Sequence, residues 1–316
     1  MTSYGRGFTG LSGRYVSNAC TSSKGVDRDC IVPRIACING NGRTIKVGSK
    51  KDNKVYGVTE YADDDYKVAG VGALFSTVSF TSSNVSGSTA DGMVKNLNFV
   101  DCDVELTIKD TNSAGQAGNE VGVGLLAGVT ANNDGSVSGV YRNVTMDGCK
   151  VAGAKNVGGL LGSSGYCSRA KATTSTSEII EKARMASPVK LYDCSYTNMD
   201  VTGGCNVGGY VGKVGMYSGC GIWETGKNPE AVASDSNVKA TGADGLAVCV
   251  GGIFGWTQWN ISVNTEPEKN AVKTSGVATI ANVAVESPSP NQGLSGAGGF
   301  VGRADYGKNS IYNLSI

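Results

Sequence analysis

The side chains able to do chemistry in this chain are carboxylates, thiols and indoles. Histidine is absent. That removes the commonest general base and metal ligand, and with it any Ser-His-Asp or Cys-His set. Asp101, Asp103, Asp147, Asp193 and Asp200 recur near one recurring strand phrase. As a stripe on one open wall they would suit the acid–base chemistry of a glycoside hydrolase or polysaccharide lyase. At strand ends the same residues form turns. "YADDDYK" (Tyr61–Lys67) clusters three more aspartates without the spacing of an EF-hand loop, and reads as a solvated turn.

Ten cysteines include no Cys-x-x-Cys pair, so neither a structural zinc site nor any other metal or cofactor is expected. Cys102 and Cys149 hold one repeat position that Met199 fills in the next copy. A position that accepts methionine calls for buried apolar filler, so both thiols are expected to be reduced. Cys194 and Cys249 fall in strand phrases. Cys20, Cys30 and Cys37 lie in the opening segment, and Cys167, Cys205 and Cys220 in or beside loops, with disulfides unassigned. Trp223, Trp256 and Trp259, with Tyr217, sit in two long stretches, 213–235 and 256–276. If these leave the fold as neighbouring loops, their rings form a platform that stacks on sugars or anchors a protein partner. The alternative is that they pack the loops onto the body.

Something must position these groups, and the chain repeats itself. "VGGLLG" (Val157–Gly162), "VGGYVG" (Val207–Gly212), "VGGIFG" (Val250–Gly255) and "AGGFVG" (Ala297–Gly302) are near-copies, with weaker ones at "VGALF" (Val71) and "VGVGLLAG" (Val121). Spacings of this size mark solenoids and propellers. Between them runs a phrase that alternates polar and apolar, as in "KNLNF", "RNVTM", "SNVKA", "ANVAV" and "YNLSI". It aligns Asn96, Asn143, Asn237, Asn282 and Asn313 in one column, with Asp193 as the exception. Two strand types that cannot each bury a face alone are stabilised by stacking like on like, about 4.8 Å apart. The expected fold is therefore all-β: a single parallel β-solenoid with irregular loop excursions. Leu160, Leu161, Val211, Ile253 and Val301 should mark its recurring apolar wall. A propeller needs four antiparallel strands per blade, which these units do not supply. One excursion, 163–190, contains "SEIIEKARMA", which has helix-forming composition and predicts a short surface helix or a mobile loop.

Gly-Gly-apolar-apolar-Gly followed by x-Asn-apolar-x-apolar resembles the GLUG repeat of bacterial surface proteins, found in large adhesins and in non-catalytic regions of immunoglobulin A peptidases. The resemblance covers roughly 70–316, and "INGNGRTIKV" resembles the coil that opens such arrays, with Arg43 where histidine is usual. It implies a single domain with an opening coil over 1–70 and repeats over 71–316. "IYNLSI" begins a further strand phrase, so the array is expected to be truncated. The resemblance also implies an extracellular, cell-surface setting.

With 28 basic and 27 acidic residues, no bulk attraction to nucleic acid or membrane is implied, and no apolar run is long enough to span a bilayer. "MTSYGRGFTGL" lacks the charged-then-apolar pattern of a secretory signal. An ice-binding surface would need a flat Thr-x-Thr ladder, which only "ATTSTS" approaches. The expected function is a non-catalytic binding, adhesion or spacer module that recognises a host protein or glycan through its loops; the alternative is a carbohydrate-active β-helix enzyme.

Overall fold

The computed structural model describes residues 16–17, 34–35, 37–47, 55–59, 67–80, 94–108, 120–130, 139–167, 184–185, 188–215, 218–226, 231–242, 247–266, 271–272, 274–288 and 295–316. They form no helix. Three two-residue pairs are antiparallel: Val16–Ser17 with Lys67–Val68, Tyr166–Cys167 with Arg184–Met185, and Thr265–Glu266 with Ala271–Val272. Every other described pairing is parallel, within sheets of 20 and 7 strands. The expected parallel β-solenoid is the architecture observed. The helix-forming stretch lies mostly outside the described residues, and its described part, Arg184–Met185, is extended and closes a β-hairpin.

Successive coils stack in register. Val71, Val123, Val157, Val207, Val250 and Ala297 form one column. The second copy of the phrase therefore starts at Val123, two residues later than the repeat alignment placed it. The apolar pair that follows splits into two columns. Leu126, Leu160, Tyr210, Ile253 and Phe300 are joined by N–H to carbonyl bonds of 2.9 Å from each to the next. Ala127, Leu161, Val211, Phe254 and Val301 form the second. All are buried except Val301, half-buried in the last coil.

The last glycine of the repeated phrase has a steric cause. A Cβ on Gly212 would collide with the backbone of Asn156, Val157 and Asn206. The last glycine of one phrase lies flat against the Asn-Val backbone of another, and no side chain fits between them.

The alternating phrase forms the main core. Phe99, Met146, Tyr196, Ala233 and Ile280 stack inward, as do Val104, Val151, Val201, Val238 and Val285. All but Val285 are buried. Each large side chain so buried contributes about 1.5–3 kcal/mol.

The coil corners bend through left-handed backbone, and every described non-glycine residue with positive φ is Asn or Asp. These residues tolerate that conformation because their side chains hydrogen-bond locally. The single predicted Asn column is in fact two. Asn96 (φ 53°), Asn143 (51°) and Asp193 (49°) turn the first corner. Asp101, Gly148, Asn198, Asp235 and Asn282 turn the second. Asn237 turns neither: it is exposed within a strand, opposite Asp200 and Ala284. The alignment failed because both corners accept the same residue type a few positions apart. At the first corner the amides form a ladder, with Asn143 Nδ2 donating to Asn96 Oδ1 (3.0 Å) and Asn96 Nδ2 to Asn39 Oδ1 (3.2 Å). A third, buried corner carries Asn156 and Asn206, joined at 2.8 Å.

The long stretches are less divergent than their sequences. Lys213 and Val214 end a strand, Cys220–Trp223 is another, and Ala233–Asp235 opens a third. Trp256 and Ile261–Val263 are likewise in coil strands. Val189–Tyr192, Cys220–Trp223, Ile261–Val263 and Ser310–Ile311 stack as an entry ladder that no repeated phrase announces.

Candidate functional site

The aspartates do not form a stripe. Asp101 and Asp147 sit at the second corner, where Asp101 N–H donates to Asp147 O (2.9 Å) and Asp101 pairs with Lys46 (3.1 Å). Asp103 and Asp200 flank Lys150 in register, so charges alternate along that ladder. Asp193 is alone at the first corner and buried. It accepts from Thr225 N–H (2.7 Å) and Oγ1 (2.9 Å). These five residues therefore form no row of carboxylates on one wall, and Asp101 and Asp193 are turn residues, the other reading of their place at strand ends. "YADDDY" lies outside the described residues.

Beneath Asp193 lies Glu224, which sequence reasoning did not single out. It is 3% exposed, and its Oε1 has no hydrogen-bond partner among the described residues. Burial, then the neighbouring Asp193, push its carboxyl up to about 8. Near neutral pH it is therefore an uncharged acid. The only sign in the sequence is a glutamate directly after the apolar strand "CGIW". Nothing in that stretch says that a later segment covers it.

The indoles do not meet on one platform. Trp223 is 5% exposed and stacks on Tyr192 with ring centroids 5.0 Å apart, while its Nε1 donates to Thr265 O (3.1 Å). Arg142 caps the other side of Tyr192 at 4.6 Å. Arg142, Tyr192 and Trp223 are in register, so this is a packed ladder across three coils. The expectation of an open anchor at Trp223 is corrected: its strand stays in the wall instead of leaving it. Trp256 is half-buried in the other sheet, in register between Lys213 and Arg303, whose charged groups lie 5.3 and 5.0 Å from its ring. Its Nε1 donates to Asp305 (2.9 Å). Trp259 is half-buried at the bend before Ile261. Tyr217 lies outside the described residues.

The sulfur column is as expected. Asp103, Lys150 and Asp200 are in register, which aligns the preceding Cys102, Cys149 and Met199. All three are buried, the two cysteines are free thiols, and Cys102 N–H donates to Cys149 Sγ (3.4 Å). Cys205 and Cys220, assigned to loops or their edges from sequence, lie buried within strands. Cys37 is exposed, Cys20 and Cys30 lie outside the described residues, and Cys167 is in the first hairpin.

Chain leaves the stack in two described hairpins. The pair of Tyr166–Cys167 and Arg184–Met185 leads into the entry strand Val189–Tyr192. The pair of Thr265–Glu266 and Ala271–Val272 follows the entry strand Ile261–Val263. The first therefore lies between the Gly-Gly-ladder strand Leu161–Ser164 and the start of the entry ladder, and the second at the end of the entry ladder. Among the described residues there is no group of three or more His, Cys, Asp or Glu arranged for a metal, and no helix long and apolar enough to cross a membrane. No family model matches the chain, and no curated protein or solved structure matches it either.

Proposed function

We propose that this chain is a non-catalytic binding or spacer module of a larger bacterial cell-surface protein, and that it recognises a host protein or glycan through its excursions. The observation that carries this reading is the placement of the two hairpins. They flank the entry ladder of an otherwise regular stack, one before the strand Val189–Tyr192 and the other after the strand Ile261–Val263 two coils on, so segments far apart in sequence leave the stack around one short ladder. A solenoid wall sets shape and reach, while loops supply specificity. The likeness of the Gly-Gly phrase to GLUG repeats supports the extracellular setting. Trp259, close to the second hairpin in sequence, is the aromatic residue best suited to contact a partner.

The test is a screen against glycans and host surface proteins with wild type and with two shortened forms, lacking 168–183 or 267–270. Loss of binding with an unchanged melting temperature supports the reading. Equal binding by both shortened forms overturns it. The alternative, a carbohydrate-active enzyme, has one observation in its favour: Glu224 is an acid held protonated near neutral pH, as a general acid must be. Against it, Glu224 is closed to solvent. Polysaccharide turnover that disappears in Glu224→Gln would establish the enzyme.

A further inference from the structure

Glu224 is tied to the second hairpin through its own backbone. Its N–H donates to Asn264 Oδ1 (2.8 Å), and its carbonyl accepts from Gly276 N–H (3.0 Å). Asn264 is the residue before the hairpin, and Gly276 follows it closely. Asn264 Nδ2 also donates to Gly276 O (2.9 Å) and Tyr312 O (3.1 Å), and Thr274 Oγ1 donates to Asn264 Oδ1 (2.7 Å). Asn264 is itself fully buried with φ 54°. One asparagine thus joins Glu224, both feet of the hairpin and the last coil.

The side chain of Glu224 has no comparable support. The ionisable groups that interact with it are Asp193 at the corner above, Cys194 after that corner, and Tyr210 in the Gly-Gly turn. All are acids. No lysine or arginine among the described residues contributes to its ionisation. A carboxylate here would be a buried anion facing another acid, with one oxygen unpartnered, and would be driven toward water.

We propose that Glu224 is a protonation-controlled latch on the hairpin strands Thr265–Glu266 and Ala271–Val272: as a neutral acid its side chain stays inside and its main chain stays bonded to Asn264 and Gly276 at the hairpin's feet, and as a carboxylate it is driven outward and draws that main chain off them. This goes beyond the binding role proposed above and stands whether or not the hairpin meets a partner.

The direction with pH follows from linkage. The closed state keeps its proton up to about pH 8, whereas an opened, solvated Glu224 loses it near the ordinary value of 4.5. Between those values the open state binds fewer protons, so each rise in pH favours opening. Above about 8 both states are ionised and the effect levels off.

Hydrogen exchange of the whole chain tests this at the amides of Glu224, Asn264 and Gly276, with wild type and Glu224→Gln compared at each pH to cancel intrinsic exchange. The wild-type opening constant relative to the variant should rise several-fold per pH unit between about 5 and 8, then flatten. A ratio constant from pH 5 to 9 overturns the latch. Should the variant fail to fold, carboxyl carbon shifts of Glu224 in wild type decide alone. Titration near 8 supports the latch, and titration near 4.5 overturns it.

Discussion

The Gly-Gly ladder and the entry ladder run through the same coils and are built on opposite constraints. In the Gly-Gly ladder, backbone packs on backbone, as Gly212 does on Asn156 and Val157. Only glycine satisfies that contact, so the phrase recurs almost unchanged. In the entry ladder, Tyr141, Leu191, Ile222 and Val263 need only be apolar and point inward. Its residues vary freely, and chain can be inserted at either end of its strands, before Val189–Tyr192 in the first hairpin and after Ile261–Val263 in the second. One ladder sets the pitch of the solenoid, and the other accommodates insertions.

The sharpest way to break this contrast is one methyl group. Gly212→Ala forces a Cβ into backbone that cannot move aside and should cost about 3 kcal/mol or more in urea unfolding, or abolish folding. Gly219→Ala, beside the entry strand Cys220–Trp223, meets only Asn260 O at 3.7 Å and should stay within about 0.5 kcal/mol. Equal costs would remove the distinction.

Aromatic residues extend the test. Trp223→Ala empties a buried site in the entry ladder and should lower stability by about 3–5 kcal/mol, leaving binding per folded molecule unchanged. Trp259→Ala should cost about 1 kcal/mol and reduce partner binding. The reverse pattern would place the binding surface inside the wall.

Corners come next in size. Asn206→Ala puts alanine at φ 52° and leaves the buried Asn156 Oδ1 without its donor, for about 2–3 kcal/mol. Asn143→Ala has the same backbone penalty, but its partner Asn96 can turn to water, so about 1 kcal/mol is expected. Chemical denaturation of both variants ranks the two corners.

The smallest perturbation is chemical. Burial pushes the Cys249 thiol in the Gly-Gly ladder up to about 11 and Cys194 at the first corner up to about 12. Since the thiolate is the reactive form, neither should react with iodoacetamide in native protein at pH 8, and both should do so promptly in urea. Native labelling of Cys249 alone would mean that its ladder opens locally, contrary to its role as the rigid one.

What backbone contact and inward stacking demand can be read from the residues alone. Where no side chain fits, the residue must be glycine, so Val157–Gly162 and its copies were legible without coordinates. Where one apolar column runs through the core, polarity alternates with period two, and the exchange of Cys102 and Cys149 for Met199 revealed a buried position. Whatever depends on which segment covers which emerges only in the folded chain. Asn and Asp tolerate left-handed backbone at either corner, so identity could not say that Asn282 belongs to the second corner, or that Asn237 belongs to neither. The short strands Cys220–Trp223 and Ile261–Val263 carry no phrase, because their ladder asks only for apolar residues. Trp223 reads as a loop anchor in the sequence, whereas in the fold Tyr192 and Thr265 lie against it. Nothing in the sequence marks Glu224, because Asn264 and Gly276, which bond its main chain, come from a later turn of the chain.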